Sequence, residues 1–170
     1  VLRGLAGAKP GEGEVLPAPI SRRTGAGLLI AYATLLALLP LLAGLGPLPD
    51  YAEGFYRAGA LVFGGGHVVL PLLESSAVGG GWVSAESFIA GYGAAQAVPG
   101  PLFTFAAYLG QAAGGLPGAV VSLLAIFLPG TLLVAGALPF WAALRARPGV
   151  RAALSGVNAA VVGVLLAALY

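Results

Sequence analysis

Residues 63–74 read FGGGHVVLPLLE, and the placement of that stretch decides the fold of the chain. Gly64, Gly65 and Gly66 leave the backbone bare of side chains, His67 is the only histidine, and Glu74 stands two helical turns beyond it. Pro71 denies the segment an unbroken run of helical hydrogen bonds. A soluble core rarely needs a histidine and a carboxylate inside so apolar a run. In lipid, unpaired backbone costs several kcal/mol unless protein or water supplies partners, so a broken segment at membrane depth lines a cavity. The stretch is therefore the first candidate for a solute site.

The composition agrees with a membrane setting. The 170-residue chain is 59% hydrophobic and 8% charged, with a mean hydropathy of +0.96, outside the range of soluble domains. A net charge of +2 with scattered arginines makes no basic stripe, which sets nucleic acid aside as a partner. With no cysteine, no methionine and one histidine, neither a disulfide framework nor a metal or cofactor site is expected. The chain starts at Val1 without a signal-peptide pattern and reads as the later part of a longer protein.

Outward from the opening stretch, residues 1–26 read as a linker or tail interrupted by Pro17 and Pro19, and residues 27–170 as a transmembrane domain. A first span runs from Leu28 to about Leu45, bent at Pro40 and stopped by Gly44, Gly46, Pro47 and Pro49. Residues 50–58, with Asp50, Glu53 and Arg57, read as a short wet connection, followed by the broken segment over 59–77. Gly79, Gly80 and Gly81 make a turn, and Ser84 with Glu86 predicts a capped helix start. A second interrupted segment covers 87–113. Pro99, Gly100 and Pro101 divide it into a half-helix ending near Val98 and another starting near Pro101. Residues 116–139 form a span with a kink at Pro129 and Gly130, ending at the interfacial aromatics Phe140 and Trp141. A last span over 152–169 carries a small-residue face of Ala153, Gly156, Ala160, Gly163 and Ala167, suited to helix packing.

The arginine-rich loops, Arg22 with Arg23 and Arg145 through Arg151, belong on the cytoplasmic side. An even number of crossings must separate them. Since 28–45 and 116–139 are two clear spans, the interrupted segments either both cross or both re-enter, and the reading adopted is that both are re-entrant or broken. The fold class is thus an all-α, polytopic transmembrane bundle with interrupted or re-entrant helices.

Two Gly/Pro-interrupted apolar segments are the pattern of a transporter site, where half-helix N-termini offer free N–H groups and a positive dipole end to an anion. Thr104, Tyr108 and Gln111 form one polar stripe leading from the second break, and Gln96 lies within a turn before it. All are candidate donors to oxyanion oxygens, against the plainer role of bonding neighbouring helices. His67 and Glu74 are candidates for proton coupling, and Arg57 for a counter-charge or a side chain that snorkels to the interface. Asn158 reads as an interhelical hydrogen-bonding residue. No nucleophile–base set, Walker loop or dinucleotide fingerprint is present, so the chain is not expected to be an enzyme.

The runs FGGGHVVLPLLE (63–74), PGPLFTFAAYLG (99–110), LPGA (116–119), IFLPGTLLV (126–134) and VNAAVVGVLLAALY (157–170) together resemble the chromate ion transporter family, specifically its C-terminal half. The resemblance implies a multi-pass inner-membrane protein that moves chromate, in many members outward as a resistance device, with sulfate the close analogue. It implies half of an internally duplicated transporter, whose partner is a homologous N-terminal half in the same or a paired chain, or a second copy of this one. It also places Gly64, Gly65, Gly66, His67, Pro71, Glu74, Gln96, Pro99, Gly100, Pro101 and Thr104 in the pathway region. The rival expectations are a membrane subunit that does not itself transport, and a carrier of sulfate rather than chromate.

Overall fold

The computed structural model describes residues 20–62, 66–145 and 147–168, with the side chains of His67 and Arg151 outside the description. Among the described residues the regular elements are all helical: α1 (Arg22–Leu42), α2 (Pro47–Leu61), α3 (Gly66–Ala77), α4 (Ala85–Ala97), a 3-10 turn (Leu102–Thr104), α5 (Phe105–Arg145) and α6 (Pro148–Ala168).

Helix α1 starts at Arg22, inside the region read as linker, because Ser21 caps it by accepting the Thr24 N–H at 3.2 Å. Two arginines in its first turn lower its hydropathy but not its helicity. Residues 50–58 are also helical, where a wet connection was expected. Pro47 opens α2 with its φ preset, Asp50 sits in the first turn, and the charged residues occupy one face while Tyr51, Phe55 and Tyr56 are buried on the other. Pro71 lies inside α3 rather than breaking it. It stands at mid-helix, where it removes one intrahelical hydrogen bond, and the helix runs through it with Val69 and Leu73 on either side fully buried. Ser84 caps α4 by accepting the Ser87 N–H at 3.1 Å, as the sequence predicts.

Both interrupted segments fold back on themselves. Gly54, midway along α2, faces Ser76 near the end of α3 and Trp82 just beyond it. Tyr51 and Trp82 stack edge to face at 4.9 Å. These contacts make α2 and α3 an antiparallel pair. In the second segment Tyr108 lies over Gly91 and donates to the Ser87 carbonyl at 3.3 Å, while Phe88 meets Phe105 at 5.1 Å. Helix α4 and residues 105–113 are therefore a second antiparallel pair.

Helix α5 bends sharply at Gly114 and Gly115, the latter at φ 63°, a conformation that favours glycine. The bend brings Gly110 against Gly118 backbone to backbone, a contact with no room for a side chain. The long arm after it, residues 116–145, is the spine of the domain. Helix α2 packs along it with Gly59 against Ile126 and Pro129, and α1 runs antiparallel to it with Gly25 against Gly136 and Pro139. The core between these elements holds Tyr56, Phe55, Val69, Leu73, Phe105 and Leu109.

Candidate functional site

The helix contacts fix the depth of both breaks. Tyr32, the central residue of α1, donates to the Ala60 carbonyl at 3.3 Å, and Tyr56 donates to the Tyr32 carbonyl at 3.0 Å. Gly59 lies beside Ile126 and Pro129, midway along the apolar part of the spine. The first break thus sits at half the height of both spanning helices. The second sits at the same height, because Phe103, just past it, meets Phe127 at 5.9 Å. Helix α3 touches the 3-10 turn just past the second break, so the two hairpins are in contact.

Each break ends one helix and begins another, and the outgoing helices, α3 and residues 105–113, run toward the same end of the domain. Both therefore have their N-termini at half height. At the second break Pro99 and Pro101 carry no N–H, and the N–H groups of Gly100, Leu102 and Phe103 have no partner among the described residues. A Cβ built on Gly100 meets nothing within 4 Å. The second break is open space edged by bare donors.

Gly64 and Gly65 lie outside the described residues, as does the side chain of His67, while Gly66 is the first residue of α3. Glu74 is exposed near the far end of α3, about 12 Å along the axis from Gly66 at 1.5 Å per residue. The structure therefore separates Glu74 from the breaks.

Around the second break the hydroxyls sort themselves. Thr104 Oγ1 donates to the Pro101 carbonyl at 2.9 Å, and the Tyr108 hydroxyl donates to α4, so both protons are engaged within the chain. Gln111 is exposed one residue past Gly110, at the end of the hairpin away from the break. Gln96 Nε2 donates to the Tyr92 hydroxyl at 2.6 Å. Sequence reasoning passed over Tyr92, although its i, i+4 spacing to Gln96 was a usable signal.

The charges divide between the two ends. Arg22 and Arg23 at the start of α1, and Arg145 and Arg147 at the end of the spine, share one end. Asp50, Glu53, Glu74 and Glu86 lie toward the other, with the α3–α4 turn and the Gly114–Gly115 bend. A cavity of about 380 Å³ opens there, lined in part by Asp50, Glu53, Arg57, Ser75, Ser76 and Trp82. Arg57 Nε donates to Glu53 Oε1 at 3.1 Å, and Asp50 Oδ1 accepts the Gly44 N–H at 2.6 Å. Two carboxylates outweigh one guanidinium in this mouth, which makes it a poor resting place for an anion.

Broken hairpins packed between apolar helices define an all-helical membrane domain with half-helix ends at mid-height. The chain belongs to the chromate transporter family, whose match covers residues 50–170. It is 37% identical over 118 residues to a chromate transport protein of Pseudomonas aeruginosa, covering 68% of this chain and 27% of that one. A probable chromate transport protein of Synechococcus elongatus is 31% identical over 139 residues, covering 78% and 35%. An uncharacterized transporter of Bacillus subtilis, YwrB, is 40% identical over 92 residues, covering 53% and 47%. The chain thus spans about a third of the length of the chromate transport proteins it matches. No solved structure matches it.

Proposed function

We propose that this domain carries chromate, or its structural analogue sulfate, across the inner membrane, holding the dianion between the two helix breaks. The observation that supports this most is the placement of two half-helix N-termini at half height, one edged by the N–H groups of Gly100, Leu102 and Phe103, which have no partner among the described residues. An anion at a helix N-terminus gains both hydrogen bonds and the positive end of the dipole. Several donors converging on one point favour a ligand with several acceptor oxygens, so a tetrahedral dianion is preferred over a halide. Pro99 to Thr104 form one wall and the start of α3 at Gly66 the other, with Gly64, Gly65 and His67 assigned to the site by the sequence alone and His67 as its proton-exchanging group.

The arginine end faces the cytoplasm. Both hairpins then enter from the opposite face, and outward movement delivers the anion past the acidic mouth, where re-entry is disfavoured electrostatically. Alternating access comes from movement against a homologous half.

Labelled-chromate flux into vesicles containing the complete protein tests the reading, with sulfate and chloride as competitors. Gly100→Leu, which fills the open second break, abolishes flux while leaving the protein folded. Undiminished flux in that variant would assign the breaks to packing and leave this domain a non-transporting subunit.

A further inference from the structure

On the reading just given, backbone N–H groups at the second break hold part of the anion, and the question is which side chain completes the shell. The second hairpin offers Tyr92, Gln96, Thr104, Tyr108 and Gln111. Thr104 and Tyr108 are removed by their own hydrogen bonds, to the Pro101 and Ser87 carbonyls. Gln111 is removed by its position at the far end of the hairpin. What remains is the pair on the last turns of α4, where Gln96 lies one residue before the helix ends at Ala97.

We infer that Tyr92 and Gln96 act as one unit that presents hydrogen-bond donors to the oxyanion at the second break. The amide donates one of its two protons to the phenolic oxygen, which leaves the Tyr92 O–H and the second amide N–H as donors. Were the amide turned over, the phenol would donate to it and the amide NH₂ would be the outward donor. Either way the pair has two donors left over. The Tyr92 ring is held edge to face against Phe105 at 6.3 Å, so the hydroxyl is positioned by packing on one side and by Gln96 on the other. Gln96 is thereby a positioning residue as much as a ligand, and Tyr92 is an additional specificity-determining residue. A donor of this kind suits a tetrahedral oxyanion, whose oxygens spread in several directions, and adds nothing that a small halide could use in the same geometry.

The test is chromate flux in vesicles containing the complete protein, with KM and maximal rate measured separately and thermal stability followed alongside. Tyr92→Phe raises the KM for chromate about tenfold or more, the value of one hydrogen bond to a charged ligand, with an unchanged melting temperature. Tyr51→Phe, which removes a hydroxyl bonded to the Ala113 carbonyl at 3.1 Å at the far end of the domain, lowers the melting temperature and leaves KM alone. Gln96→Leu raises KM too, and the Tyr92→Phe/Gln96→Leu double variant is no worse than the poorer single one, because the two act together. Wild-type KM in Tyr92→Phe, or effects that multiply in the double variant, would overturn the inference. If Gly100→Leu still abolishes flux in that case, the site at the breaks stands without this pair. If Gly100→Leu transports normally, the site itself has failed.

Discussion

Gly59→Ala is the sharpest probe of how the first break is held in place. A Cβ at this position falls 3.0 Å from the Ile126 carbonyl carbon and 3.1 Å from Pro129 Cγ, and nearer still to the Ile126 carbonyl oxygen. Carbon atoms in comfortable contact stand about 3.5–4.0 Å apart, so α2 must move off the spine by roughly 0.5–1 Å. Neither neighbour can turn aside, one being backbone and the other a proline ring within a helix. Overpacking of this kind costs about 1–3 kcal/mol, and in a domain of this size each kcal/mol is worth about 2–4 °C in Tm. Gly59 lies two residues before the end of α2, so the displacement passes directly to the first break. Misplacing a binding group by about 1 Å lowers turnover by up to roughly 10²-fold. The expected result is a lower Tm together with a fall in chromate flux of about tenfold or more at equal protein level. Gly27→Ala, whose Cβ meets nothing within 4 Å, is the control and gains helix propensity worth less than about 1 kcal/mol. Wild-type Tm and flux in Gly59→Ala would refute the close seating of α2 on the spine and, with it, the depth assigned to the break.

The other predictions use the absence of native cysteine. Leu45→Cys, exposed in the loop between α1 and α2, reacts with an impermeant maleimide from outside intact cells, whereas Arg147→Cys reacts only after permeabilisation; the opposite pattern would invert the orientation. Gly100→Cys reacts with small hydrophilic thiol reagents and is protected by chromate. A cysteine there that is inert to such reagents, or labelled equally with and without chromate, would show that the second break is not a wet site. Sulfate competes for flux while chloride at equal concentration leaves it unchanged, and equal competition by chloride would remove the argument from multiple donors.

The sequence made some of this architecture legible and concealed the rest for identifiable reasons. The second break was readable because Pro99, Gly100 and Pro101 act locally, and the structure ends α4 at Ala97 and resumes at Leu102. Helix α2 was hidden because Asp50, Glu53 and Arg57 look like loop residues to hydropathy. They occupy one helical face whose other side is buried, a fact that only packing reveals. Pro71 misled in the opposite sense, since a helix whose neighbouring residues Val69 and Leu73 are buried runs through a mid-helix proline at the loss of one hydrogen bond. The polar stripe of Thr104 and Tyr108 had the right spacing, but spacing cannot say that both hydroxyl protons are already engaged. That the Tyr92–Gln96 pair keeps donors follows only from those bonds and its own.

The two hairpins approach the centre of the domain from one end only. In that arrangement an anion held at the breaks would be reached from the acidic end, and nothing on the arginine end among the described residues mirrors the hairpins. A carrier that opens to each side in turn needs elements that close from each side. Helix α1 and the spine cross, and α6, 21 residues long, has the length to cross again, which gives the domain an odd number of passes. A homologous half joined at the arginine end and built with the same passes would start at the acidic end and lie inverted relative to this one. Its own broken hairpins would then enter from the arginine end and meet these at half height. The greater length of the chromate transport proteins leaves room for such a half. With such a half in place, this domain would supply one wall of the site and one of its two gates, and the exposed Gly100, whose Cβ would meet no described atom within 4 Å, would be open to the other wall.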